Sequence, residues 1–211
     1  LRLVLTNLAA DHSAVLDFPN HPKNEDFGRR QVRFSPELWI EREDFMETPV
    51  KGFHRLVPGG EVRLRGAGII RCDDVIKDTS GQVIELRCTL DEQSTPGSAG
   101  ADRKVKGTIH WVDARSALAA EVRLFDRLFK GADPDDDSDG KSYHDHLNAD
   151  SRRIAKGWLE AGLAGAAAES SWQFERLGYF VADRVDHQPK RPVFNRVVTL
   201  RDTWNKAGAK P

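Results

Sequence analysis

Residues 61–90 read EVRLRGAGIIRCDDVIKDTSGQVIELRCTL, and the spacing of apolar side chains in this stretch decides the fold class. Within 61–65, Val62 and Leu64 fall on one face of an extended chain and Arg63 and Arg65 on the other. Successive side chains of a strand point to opposite faces, so this alternation is a strand signature. Residues 69–76 and 83–90 form two further strand-like runs, and DTSG at 78–81 supplies the Asp and Gly that a tight hairpin needs. Cys72 and Cys88 then lie in adjacent strands, where they can be cross-strand neighbours and serve as small buried apolar groups.

Working outward, the same pattern recurs in LRLVL (1–5), QVRF (31–34), LWI (38–40), TIHWV (108–112) and EVRLF (121–125). Late strands are expected at 172–174, 178–182 and 193–199, and 114–120 has room for one helical turn. Many short strands between turn signals imply an all-β protein of sandwich or barrel type. The polar stretch 91–102, with Pro96 and two glycines, is the expected internal boundary. It divides the chain into residues 1–98 and 99–211, each of barrel size. One segment resists: 151–170 is Ala-rich, and propensity alone makes it a helix capped by Asp150 or Ser151. Gly157, Gly162 and Gly165 weaken that assignment, and the segment is read as strand and loop.

The 211 residues are 39% apolar and 31% charged, an ordinary globular composition. No apolar run approaches the roughly 18 residues of a membrane span, and no secretion signal opens the chain. A cytoplasmic protein with reduced thiols is expected. Leu1 is not an initiator Met, so the chain is expected to be a piece of something longer. Net charge is −1, from 32 basic and 33 acidic residues, which excludes a protein that grips nucleic acid with its whole surface. Any RNA contact must be local. From 184 to 211, seven Lys or Arg face only Asp186 and Asp202, whereas DPDDDSDG at 133–140 would repel phosphate.

Several motifs tempt and fail. Asp135, Asp137, Asp139 and Gly140 match half of an EF-hand loop, but the position for its bidentate Glu holds His146, and a solvated acidic loop is the better reading. His144 and His146 lack a third ligand nearby, so no metal is expected. His110 alternates with apolar neighbours and reads as structural. No nucleophile elbow, phosphate-binding Gly loop or other catalytic constellation occurs.

Seven blocks, in order along nearly the whole chain, resemble the C-terminal region of glutaminyl-tRNA synthetases. They are PNHP (19–22) with GRRQV (28–32); ELWI (37–40); RLV (55–57) with EVRLR (61–65); RKVKGTIHWV (103–112); EVRLFDRLF (121–129); QFER (173–176) with GYF (178–180); and PVFNR (192–196) with LRDTW (200–204). The resemblance implies two antiparallel β-barrels that hold a tRNA anticodon loop, of the type shared with a ribosomal 5S-rRNA-binding protein. The C-terminal strand is expected to return to the first barrel.

The resemblance also assigns residues. Arg55 matches the arginine that reads the third anticodon base, a guanine, and Gln173 with Arg176 matches the pocket of the central uridine. Arg63 and Arg65 match the arginines near the first anticodon position, with Thr203 beside them. His54 and Lys23 also fall among the anticodon-binding positions; they, with Gly52, depart from the family's usual side chains. A further uridine-pocket arginine would fall just before Leu1. Such roles suit arginine, whose planar fork donates bidentately to guanine or phosphate, and suit unstacked loop bases with free Watson–Crick edges. Trp39, Trp111 and Trp204 are expected to pack rather than to stack on bases.

The expected function is anticodon recognition within a glutamine–tRNA ligase, with tRNA-Gln and the parent's own catalytic domain as partners. No catalytic residue and no cofactor are expected in this chain; ATP with Mg belongs to the catalytic domain, and a monomer is expected. Alternatives are the twin barrels of an archaeal or eukaryotic glutamyl-tRNA synthetase, a structural rRNA-binding barrel, and a β-sandwich that binds a small ligand. QFER and LRDTW favour glutamine, the rRNA-binding protein carries one barrel rather than two, and no pocket signature supports the last.

Overall fold

The computed structural model describes residues 1–136, 138 and 140–200. Among them the regular structure consists of strands and short 3-10 turns. The strands are β1 (Arg2–Leu5), β2 (Ala14–Pro19), β3 (Arg29–Phe34), β4 (Glu37–Ile40), β5 (Glu61–Leu64), β6 (Gly68–Lys77), β7 (Val83–Asp91), β8 (Thr108–Ile109) and β9 (Trp111–Asp113). After these come β10 (Leu118–Phe125), β11 (Arg152–Leu159), β12 (Ser171–Phe174), β13 (Gly178–Ala182) and β14 (Val193–Thr199). The all-β expectation holds.

The chain forms two compact units. The first comprises Leu1–Ala117 and Trp158–Gly162; the second comprises Leu118–Gly157 and the described residues from Leu163 onward. The first unit is built on a seven-stranded sheet of order β8-β5-β6-β7-β1-β4-β9, with β2 and β3 as a separate hairpin. The hairpin read at 78–81 is present: Asp78 accepts from the backbone N–H groups of Ser80 and Gln82, closing the β6–β7 turn. Cys72 and Cys88 are direct cross-strand partners, both buried and both free. Their hydrogen bond and burial push the Cys88 thiol pKa up.

Alternation becomes burial. In β5, Val62 and Leu64 are fully buried while Glu61 and Arg63 are not. The same pattern in β1 and β4 buries Leu3, Leu5, Leu38 and Ile40, which join Phe34, Leu86 and Ile109 in one core. Trp111 completes it, 5.2 Å from Phe34, its indole N–H donating to the Arg65 carbonyl. Trp39 stacks almost parallel on Trp158 at 5.2 Å. Trp39 and Trp111 therefore pack against protein, as expected.

The barrels are antiparallel in most pairings but not in all: β1 with β7, β5 with β8 and β10 with β14 run parallel. The compact units divide after Ala117, further along than 98/99, because β8 and β9 pair with β5 and β4 of the first sheet. The polar stretch instead folds back on itself, the Gly100 N–H donating to the Gln93 carbonyl. At 114–117 the chain makes the single helical turn there was room for, the Ala117 N–H donating to the Asp113 carbonyl four residues back and the Asp113 carboxylate accepting from the Ser116 N–H and hydroxyl.

The second unit carries a five-stranded sheet of order β11-β10-β14-β13-β12. Its core is small: Ala120, Phe180, Ala182, Val193 and Phe194 are buried, and Phe174 stacks on Phe180 at 4.2 Å. His187 closes it, donating from Nε2 to the Ala166 carbonyl and accepting from the Val193 N–H at Nδ1. Arg123 ties β10 to the loop after β13 through Glu121, Asp183 and Asp186. Backbone N–H groups of Asp186 and Val185, the Asn195 amide and the Arg123 charge hold the Asp183 carboxyl at a pKa of about 2.

The Ala-rich stretch is strand and loop, against its propensity: β11 occupies its first part and a 3-10 turn spans Ala161–Gly165. Pairing of β11 beside β10 holds the first part extended, and Gly162 and Gly165 interrupt the alanines that follow. The last predicted strand, 193–199, does not return to the first barrel as expected: as β14 it pairs with β10 and β13 inside the second sheet. Asp137 and Asp139 of the acidic loop lie outside the described residues.

Candidate nucleic-acid interface

In the first unit, the loop carrying His54 and Arg55 is fixed from beneath. Asp44 is fully buried, and Arg55 stands over it with Nε 3.4 Å from Oδ1 and only 15% of its side chain exposed. Arg55 also donates from Nη1 to the Glu43 carbonyl, and Leu56 bonds back to Asp44 through the backbone. Arg55 is thus oriented by a buried carboxylate before any ligand arrives. His54, next to it, is exposed.

Gly107 couples this loop to β5. Its carbonyl accepts from the Arg63 N–H, and a side chain at position 107 would run into the His54 carbonyl. Only a residue without a Cβ permits that approach. Arg63 and Arg65 both point away from the core, as their spacing predicts, yet they are differently engaged. Arg63 donates to the Ser94 carbonyl at 3.1 Å and to the Arg103 carbonyl at 2.7 Å, pinning the 91–103 loop to the sheet. Arg103 in turn pairs with Glu61 and Asp91. Arg65 is exposed, at the end of β5, with its backbone held by Ile109 and Trp111.

The structure therefore brings the His54–Arg55 loop beside β5. Lys23 sits elsewhere, exposed in the turn between β2 and β3, where its N–H donates to His21 Nδ1. Thr203 and Trp204 lie outside the described residues.

In the second unit, Gln173 is exposed on β12, and Arg176 forms the turn into β13 with a left-handed φ of 65°. That conformation costs a residue with a Cβ roughly 1 kcal/mol, and such costs persist where the surroundings impose them. The turn closes by the Leu177 N–H donating to the Phe174 carbonyl, and Gly178 follows with φ 152°, where a Cβ would meet the Val198 carbonyl. Gln173 and Arg176 are thus held on one rigid hairpin.

Sequence reasoning missed Asp44, the support of Arg55, because a lone Asp in a loop carries no pattern. It also missed Glu160, which accepts from Arg30 at 2.6 Å and lies 3.5 Å from His110. His110 is structural, as expected, but through this carboxylate rather than through apolar neighbours. Among the described residues, no group of three or more His, Cys, Asp or Glu is placed to hold a metal ion. No helix among them is long and apolar enough to cross a membrane.

Two β units present arginines and a glutamine from loops and a hairpin turn, and comparison with known families gives their class. Residues 1–91 match the family described as tRNA synthetases class I (E and Q), anti-codon binding domain, and residues 108–183 match a second family of that description. The chain belongs to these anticodon-binding domains of class I synthetases.

Its relatives narrow the class further. It is 61% identical over 206 residues to glutamine–tRNA ligase of Xanthomonas campestris pv. campestris (strain 8004), covering 98% of this chain and 36% of that protein. It is 62% identical, with the same coverage, to glutamine–tRNA ligase of Xanthomonas euvesicatoria pv. vesicatoria, and 61% identical to that of Xylella fastidiosa (strain Temecula1). The chain spans about a third of the length of these relatives.

Proposed function

We propose that this chain reads the anticodon of tRNA-Gln as part of a glutamine–tRNA ligase. The observation that carries this reading is the 61% identity to glutamine–tRNA ligases along 98% of the chain. The glutamyl-tRNA synthetase, rRNA-binding and small-ligand alternatives are not favoured. Charging of the tRNA, with its ATP and Mg, falls to a catalytic domain of the parent protein, which acts as a monomer in the cytoplasm.

Within this reading Arg55 takes the third anticodon base, presented by its seat on Asp44. Gln173 and Arg176 take the central uridine. Arg65 faces the first position with Thr203, while Arg63, occupied by the Ser94 and Arg103 carbonyls, positions the strand end. His54 and Lys23 supply peripheral contacts to the backbone.

Titrating the protein with anticodon stem-loops that differ only at the central base tests the reading: the uridine form should bind tightest, and equal affinities would sink it. Arg176→Ala should cost roughly 1–3 kcal/mol and relax discrimination at that base alone. A uniform loss across all stem-loops would mark Arg176 as a phosphate contact instead.

A further inference from the structure

The register of the second sheet sets three exposed side chains in a row. Gln173 on β12 lies directly opposite Tyr179 on β13, and Tyr179 lies directly opposite Val198 on β14. Direct partners in antiparallel strands have Cβ atoms roughly 4.5–5.5 Å apart, so the amide, the ring and the isopropyl group are neighbours. All three face away from the core, because the alternate positions Phe174 and Phe180 point inward and stack on each other. Tyr179 is 45% exposed and Val198 53% exposed.

Nothing among the described residues employs this row. Among the described residues, neither the Gln173 amide nor the Tyr179 hydroxyl has a hydrogen-bond partner, and the Tyr179 ring meets no other aromatic ring. Trp172, on the same strand as Gln173, by contrast donates its indole N–H to the Ser170 hydroxyl. The ring and the amide are thus both open to a ligand that has a flat apolar face and a polar edge.

We infer that Tyr179 is the stacking platform of a single-base subsite. An unstacked nucleobase lies over the Tyr179 ring, bounded by Val198, while the Gln173 amide hydrogen-bonds the base edge. An amide offers both a donor and an acceptor, and that is the complement of a pyrimidine Watson–Crick edge. The bulge beside Tyr179, where the register with β14 shifts, turns this part of the strand away from regular pairing. The Arg176 turn and Gly178 fix the hairpin, so the platform is formed before RNA arrives. This assignment rests on the anticodon reading above and adds to it a residue, Tyr179, whose role is stacking rather than hydrogen bonding.

The test is a cycle in the full-length protein, using anticodon stem-loops with either a uridine or an abasic site at the central position. Tyr179→Leu should weaken binding of the uridine loop about ten-fold, the scale of one base stacked on one ring. On the abasic loop the same substitution should have no effect, and Tyr179→Phe should bind both loops as the unsubstituted protein does. An equal loss on both loops makes Tyr179 a merely structural residue, and no loss on the uridine loop removes the platform; either result overturns the inference while leaving anticodon binding intact. An unsubstituted protein that binds neither loop sinks the anticodon reading and the subsite together.

Discussion

At the scale of single residues, Arg55 does two things at once. It neutralises the fully buried Asp44, and it presents its guanidinium at the surface of a loop. Removing one member of a buried pair strands the other charge, at a cost of roughly 3–5 kcal/mol. Arg55→Ala should therefore lower stability in urea titrations as well as weaken RNA binding. Adding Asp44→Asn should restore a good part of the stability, since no bare carboxylate is left behind, but none of the binding. If Arg55→Ala leaves stability untouched, the pair is not what orients the side chain. The sequence marks Arg55 through the RLV block, whereas Asp44 is invisible there: only folding places it beneath the arginine.

At the scale of elements, the segment Trp158–Gly162 shows how a short piece of chain is held in the first unit. Trp158 stacks on Trp39, and Glu160 takes Arg30 and His110. Burial works against a charged carboxyl at Glu160, but hydrogen bonds from His110 and Arg30, together with their charge, prevail and hold its pKa at about 2. The folded value lies below the ordinary one of 4.5, so the stabilisation is fully present above pH 4.5 and fades as pH falls towards 2. Its upper bound is about 3 kcal/mol, at 1.36 kcal/mol per pKa unit. Glu160→Gln should destabilise the protein by up to that amount at pH 7, and the gap should shrink between pH 4.5 and 3. A gap independent of pH would show that Glu160 contributes through packing alone. Strand positions were largely legible from alternation: 178–182 and 193–199 match β13 and β14. The parallel pairs were not, because alternation fixes which face a residue occupies and says nothing of which strand lies alongside.

At the scale of the whole molecule, a net charge of −1 leaves no general attraction for RNA. Most arginines of the first unit are also occupied, as Arg2, Arg30, Arg63, Arg103 and Arg115 are by carboxylates or carbonyls. Binding should then involve few phosphates. The logarithm of the association constant should fall with the logarithm of salt at a slope of about −2, as roughly three contacts to single-stranded RNA require. A slope steeper than about −5 would instead point to a broad electrostatic surface. What the sequence by itself determined was the all-β class, the face each strand residue takes and the family, because periodicity and ordered motifs are local properties of the chain. Tertiary structure alone decided where the compact units divide, that Arg63 is tied to carbonyls while Arg65 stays exposed, and that Gln173, Tyr179 and Val198 form a row. Those outcomes depend on pairing between residues distant in the chain, and the free energy of such contacts exists only once the chain has closed on itself.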